Sequence, residues 1–285
     1  MGPATIPGLY QLTRIDLNTS EQTVLSSHEA GVRHVVFSRE HNIVISASWD
    51  STLHIHQPDA GANPDSLPII VPLPSKPFSI SATATKLIVA MASRALHIYD
   101  LKALALLTAQ SDSTAPGGNV VEVEPWQRRE SSLKFMTRAV ACMPDDAGYA
   151  SSSIEGRVAV EWFDPSPESQ ARKYAFKCHR QTAEDGVDVV YPVNALAFHP
   201  VFGTFASGGG DGVVALWDGI SKRRIRQYQK YQNSVSAVAF SASGQHLAIA
   251  VSPGFEDGHD EVPEGTVKIY VRELGETEAK GKGAK

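Results

Sequence analysis

An all-β chain of repeated four-strand units is what the sequence predicts, and three observations predict it. First, Val32–His56 (VRHVVFSREHNIVISASWDSTLHIH) aligns over Val193–Asp218 (VNALAFHPVFGTFASGGGDGVVALWD). Each copy has an alternating strand ending in Phe, a polar turn, a small-residue strand, a tight turn with Asp, and a third strand. Second, the spacing is constant: 13 residues separate Phe37 from Asp50, Phe198 from Asp211 and Cys142 from Glu155. Third, period-two alternation recurs in VRHVVF, LHIYD, RVAVEW, VSAVAF and VKIY, and no amphipathic helix of three turns stands out. Copies begin near 32, 77, 137, 193 and 235, in steps of 45, 60, 56 and 42. The shorter steps match one propeller blade and the longer ones add loops. The expected fold class is therefore an all-β, WD-repeat β-propeller with about five blades plus part of another.

Taken in order, LYQLTRIDLNTSEQTVLSSH resembles the two outer strands of a partial blade ahead of the first copy. A propeller closes by pairing its last blade with an N-terminal strand, so the chain is expected to be short of a blade or more at that end. The propeller is assigned to residues 1–272, with Ser111–Gly118 as a flexible loop and an acidic insertion between Ser252 and Gly265. Residues 273–285 are polar and expected to be disordered. In a WD blade, an Asp in the turn between the second and third strands bonds a His ahead of the first strand. A Ser or Thr and a Trp complete the network. His179, Ser207, Asp211 and Trp217 fit one such set, and His28, Ser46 and Asp50 fit most of another. These are read as structural, because burial demands a partner for every polar atom.

Composition narrows the function. With 26 Lys and Arg against 31 Asp and Glu, the net charge is −5, which argues against bulk nucleic-acid binding. Cys142 and Cys178 are too few and too far apart for a disulfide framework or a zinc site, and suit a reducing nucleus or cytosol. No secretory leader, myristoylation pattern or stretch of 18 apolar residues is present, so no membrane partner is expected. The GGGDG run at Gly208–Gly212 lacks the Lys and Ser or Thr of a phosphate-cradling loop. His54 and His56 share one strand face with no third ligand nearby in sequence, and read as solvated edge histidines. No residues support an enzyme, a metal or a cofactor.

What remains is basic. Gln127–Glu130 with Arg138, Glu155–Arg157, and Lys177 with Arg180 map to loops on one face of a propeller. Clustered arginines there suit an anionic peptide; otherwise they pair with Glu130, Glu155, Glu161 and Glu168 as surface ions. Four strings carry more: RRESSLKFMTR (Arg128–Arg138), SSIEGRVAVEWFDPSPE (Ser152–Glu168), YAFKCHR (Tyr174–Arg180) and YPVNALAFHP (Tyr191–Pro200). Over residues 8–272 the chain resembles the spindle-checkpoint WD-repeat branch of the Bub family, its third member. That resemblance implies a seven-bladed propeller in the nucleus, at kinetochores during mitosis. It would bind GLEBS-type motifs of checkpoint kinases and pseudokinases and phosphothreonine in MELT-type repeats of a kinetochore scaffold, with a ubiquitin-ligase checkpoint complex as a further partner. Carried over by motif, Arg180, Lys177 and Arg157 would hold the phosphopeptide. Arg138, Glu168, Arg128, Arg129 and Trp49 would hold the kinase motif. The alternative is the related messenger-RNA export propeller that binds a nucleoporin, which shares SIEGRV and FKCHR.

Overall fold

Alternating strands and Asp-bearing turns fold into successive antiparallel sheets, each one blade. The computed structural model describes residues 10–58, 67–110, 119–254 and 262–281. It falls into two units, Met1–Glu130 and Ser131–Lys285.

The first unit opens with a hairpin, β1 (Gln11–Ile15) on β2 (Gln22–Ser27). A blade follows: β3 (Val32–Ser38), β4 (Ile43–Ser48), β5 (Thr52–His56) and β6 (Ile69–Pro72), paired in chain order. The next blade begins with β7 (Pro77–Ala82), β8 (Lys86–Met91) and β9 (Ala95–Asp100). After it come α1 (Leu101–Gln110), β10 (Asn119–Val120), which joins β6, and β11 (Gln127–Glu130), which joins β9. Ten residues long and just under three turns, α1 was not placed by the sequence reading. LKALALL alternates like a strand, yet Leu and Ala are strong helix formers, and burying Leu101 and Leu104 against the core settles the conformation. The Ser111–Gly118 loop and most of the acidic insertion lie outside the described residues.

The second unit holds three blades. They are β12 (Thr137–Cys142), β13 (Gly148–Ser153), β14 (Arg157–Trp162), a short α2 (Pro167–Ala171) and β15 (Tyr174–Lys177); then, after a hairpin of β16 (Arg180–Thr182) on β17 (Asp188–Val190), β18 (Val193–Phe198), β19 (Phe205–Gly209), β20 (Val214–Asp218) and β21 (Arg223–Gln227); and finally β22 (Ser234–Phe240), β23 (His246–Ser252) and β24 (Lys268–Glu273). With the hairpin β1–β2, the five sheets give the WD-repeat β-propeller blades that the repeat predicts. Successive first strands pack together, β12 on β18 and β18 on β22. Small residues permit this: all of β13 (GYASSS) and β19 (FASGG) is buried. Past β24, Leu274 and Ala279 are buried, Thr204 Oγ1 donates to the Ala279 carbonyl at 2.7 Å, and Tyr228 donates to Glu278 at 2.8 Å. The stretch to Gly281, read from composition as disordered, thus packs on the blades through its few apolar residues and one carboxylate.

One buried network locks the turn between β19 and β20. His179 Nδ1 donates to Asp211 Oδ1 at 2.9 Å, Ser207 donates to His179 Nε2 at 2.8 Å, and Trp217 Nε1 donates to Ser207 Oγ at 2.8 Å. Gly209 makes room for it, since a Cβ there would lie 2.2 Å from His179 Nδ1. In the first unit His28 donates to Asp50 at 3.0 Å and accepts from Ser46 at 2.9 Å. His56 stands six residues after Asp50, as Trp217 does after Asp211.

His54 and His56 are not solvated: they are 4% and 2% exposed. The sequence could not show that β6 would pair with β5 or that the β1–β2 hairpin would reach the His54 side chain. There His54 Nδ1 pairs with Ser26 Oγ at 3.1 Å, and its ring stacks on His28 at 3.6 Å. Burial pushes His54 down to about 3 and His56 down to about 4, from an ordinary value of 6.5.

Two predictions follow from these clusters. Asp211→Ala leaves His179 and the turn amide of Val213 without their acceptor, and costs about 1–3 kcal/mol in equilibrium denaturation. For the histidines, the unfolded chain takes up protons near pH 6.5 while the folded chain does not until far lower. Their contribution is therefore complete above pH 6.5 and is lost as the pH falls toward 4. Between about pH 7.5 and pH 5 each imidazole should cost about 2 kcal/mol, read as a falling denaturation midpoint that His54→Phe with His56→Phe flattens. An unchanged midpoint over that range in the unsubstituted chain contradicts this assignment.

Candidate functional site

Within a blade, the turn joining the second and third strands leaves from the same end as the connection to the next blade. This is the upper end; the first-to-second and third-to-fourth turns leave from the lower end. At the upper end of the second unit, Arg157 opens β14 opposite Lys177, the last residue of β15. Gly156, at φ 67°, brings its turn under the next connection, where the Cys178 N–H donates to the Gly156 carbonyl at 2.9 Å. A Cβ at that glycine would lie 2.6 Å from the Cys178 carbonyl. The chain then reverses through His179, at φ 45°, which the buried network holds in the left-handed region.

That reversal delivers Arg180. Its side chain is 20% exposed and meets Asp188 at 3.3 Å. It also donates to the carbonyls of Glu155 and Gly156 at 3.4 and 3.3 Å, while its buried Nε has no partner among the described residues. Thr182 and then the Arg180 guanidinium hold the Asp188 carboxyl below its usual range. Beside Arg180 is a pocket of about 200 Å³, lined also by Lys177, Arg224, Gln181 and Gln227. Asp211 also lines it, but His179 and the Val213 N–H occupy that carboxylate. Lys177, Arg180 and Arg224 therefore line one space, with Asp188 paired to Arg180 and Asp211 accepting two hydrogen bonds at Oδ1. Arg224 was not anticipated: it sits on β21, and its register opposite Trp217 brings it there. Alternation in RRIRQ was the available signal.

The other expected contacts divide. Arg138 lies on β12, where its Nε donates to Asn194 at 2.9 Å, and Asn194 donates to Ser234 at 2.9 Å. A polar chain thus links the first strands of three blades. Next to it, Phe135, Met136 and Ile154 are 49%, 40% and 37% exposed, joined by an Ile154 N–H to Met136 carbonyl bond. Sequence reasoning passed over these three because singly they look like core.

Glu168 needs correction. It lies on α2, between the third and fourth strands of its blade and so at the lower end. The six residues of β14 separate it from Arg157, and it cannot share an upper-end groove with Arg138. Arg128 and Arg129 are also corrected: they lie on the fourth strand of the blade that begins at β7 rather than in a loop. There Arg128 pairs with Glu124, and Arg129 Nε donates to Gln127 at 2.6 Å. Trp49, also in the first unit, stands 47% exposed at its turn. Of the ion pairs foreseen, Arg157 meets Glu155 at 3.3 Å, whereas Glu161 accepts from Ser132 and Tyr149. His28, Asp50 and His54 bring ligand-type atoms within 4.8 Å of one another, but hydrogen bonds already hold both His28 nitrogens and His54 Nδ1.

Comparison with known proteins gives a consistent answer. A family model for the WD domain, G-beta repeat, matches residues 19–57 and 185–218. The mitotic checkpoint protein BUB3.1 of Arabidopsis thaliana is 44% identical over 96% of this chain and 74% of its own length. The mitotic checkpoint protein bub3 of Dictyostelium discoideum is 39% identical over 86% and 68%. A poly(A)+ RNA export protein of Schizosaccharomyces pombe is more distant, at 32% over 86% and 63%. Among solved structures, the β-propeller domain of Cps50 (Swd1) from Myceliophteria thermophila matches with a TM-score of 0.57 at 12% identity, over 86% of this chain and 72% of that one, which bears on the fold alone. The chain belongs to the Bub3 family of mitotic checkpoint WD-repeat proteins.

Proposed function

We propose that this chain is a non-catalytic adaptor of the spindle checkpoint that reads a phosphothreonine peptide at its Arg180 pocket. The observation that carries the reading is the grouping of Lys177, Arg180 and Arg224 around one space, with Arg180 Nε buried and without a partner among the described residues. A dianionic phosphate supplies the acceptor that this nitrogen lacks, and competes with Asp188 for the guanidinium. Arg157 stands opposite Lys177 with Glu155 as its present partner, and an arriving phosphate competes for it. The scaffold ligand is a MELT-type repeat. The second ligand is a GLEBS-type motif of a checkpoint kinase or pseudokinase. In the second unit, Arg138 and the exposed Phe135, Met136 and Ile154 offer it a charged and an apolar contact. Holding both would bring the kinase to kinetochores during mitosis and connect it with a ubiquitin-ligase checkpoint complex. The higher identity to checkpoint relatives favours this over nucleoporin binding in messenger-RNA export.

Arg180→Ala tests the pocket. Charge-assisted hydrogen bonds contribute roughly 1.5–3 kcal/mol, so affinity for a phosphothreonine peptide should fall by about 10- to 100-fold. Arg224→Ala should weaken binding in the same direction. Calorimetric titration against phosphorylated and unphosphorylated forms of one peptide reads both effects. Equal preference for the phosphorylated form in both variants and the parent chain would remove the phosphate from this pocket.

A further inference from the structure

The lower end of the second unit carries a groove that the adaptor reading does not use. It encloses about 450 Å³ between the blade starting at β12 and the blade starting at β18. Its half-buried apolar lining includes Met143, Trp162 and Phe198. Ile220, in the turn joining β20 and β21, is 79% exposed and forms an apolar rim.

Two cations flank this lining, each poised over an aromatic ring. The Arg172 guanidinium lies 4.6 Å from the Trp162 ring centroid, and Lys222 Nζ lies 4.6 Å from that of Tyr174. Both are built in rather than trailing. The DPSPES segment forms α2, which Ser166 caps by accepting from the Ser169 N–H. Gln170 ties the helix back to the carbonyls of Trp162 and Asp164 at 2.9 and 2.6 Å, and Arg172 donates to Ser169 at 3.0 Å. On the other wall, Tyr174 donates to the Gly219 carbonyl at 2.7 Å, fixing the ring beneath Lys222. The lining includes one carboxylate, Asp145, which accepts from the Ala147 N–H at 3.2 Å.

We infer that this groove docks a peptide segment with a bulky apolar residue flanked by Asp or Glu. The apolar side chain would pack on the apolar lining beside Ile220, and the flanking carboxylates would meet Arg172 and Lys222. A cavity of this size suits such an anchor, and opposite charge on the rim sets orientation and selectivity. Asp145 in the lining, Asp164 near Arg172 and the chain's net charge of −5 make the groove unsuited to a nucleic-acid backbone. This site stands at the other end of the blades from Arg180, so it does not rest on the phosphopeptide reading.

The test uses the full chain and three fluorescein-labelled peptides, followed by anisotropy. The probe is Asp-Glu-Leu-Phe-Glu-Asp. The controls are Asn-Gln-Leu-Phe-Gln-Asn, which removes charge, and Asp-Glu-Ser-Ser-Glu-Asp, which removes the anchor. The probe should bind at least about tenfold more tightly than either control. Ile220→Asp, and separately R172E with K222E, should each reduce probe affinity about tenfold or more, while Arg180→Ala leaves it unchanged. Melting temperatures check that the variants fold; if Ile220→Asp does not, the charge-reversal pair decides alone. Failure of the probe to bind up to about 1 mM, equal binding of the controls, or unaffected variants overturns the proposal. Sedimentation showing a dimer that Ile220→Asp dissociates, with no competition from the probe, overturns it in favour of a second copy of this chain.

Discussion

The requirement that a buried imidazole and the carboxylate beside it be paired governs how the second unit presents Arg180. At the turn between β19 and β20 it is met by His179, Asp211, Ser207 and Trp217, which come from the connection ahead of the blade and from two of its strands. Because His179 must reach Asp211, the backbone at residue 179 is held in a conformation that non-glycine residues rarely adopt. Arg180 is the next residue. Its guanidinium is consequently aimed by a core interaction, and little ordering remains to be done when an anion arrives. The same demand makes Gly209 obligatory, since any side chain would occupy the space of the imidazole.

Much of this was legible beforehand. The 13-residue spacing located the turns, and the five first strands begin at Val32, Pro77, Thr137, Val193 and Ser234, where the repeats were placed. The His–Asp networks were legible because a Ser stands four residues before each turn Asp and a His lies in the connection ahead of the blade. What escaped depended on contacts between segments far apart in sequence. Arg224 reaches the pocket only through the register of β21 on β20, and His54 is buried by a hairpin 28 residues earlier. Glu168 was misplaced because a motif was read as one patch, although SSIEGRVAVEWFDPSPE crosses its blade from the upper end to the lower. Helix α1 was missed because Leu and Ala alternate over a few residues as readily in a helix as in a strand.

Charge is distributed to the same logic. The chain is acidic overall, yet Lys177, Arg180 and Arg224 line one pocket at the upper end of the second unit, and Arg172 and Lys222 lie over Trp162 and Tyr174 at its lower end. In each place hydrogen bonds fix the supporting backbone, which is how a small number of cations can select an anionic segment against an unfavourable background field.

The most direct measurement is a crystal structure of the chain with a bound phosphothreonine peptide. The account predicts phosphate oxygens within hydrogen-bonding distance of the Arg180 guanidinium and of Lys177 or Arg224, with Asp188 displaced and the His179–Asp211 bond intact. Phosphate bound elsewhere, with Arg180 still paired to Asp188, would contradict it.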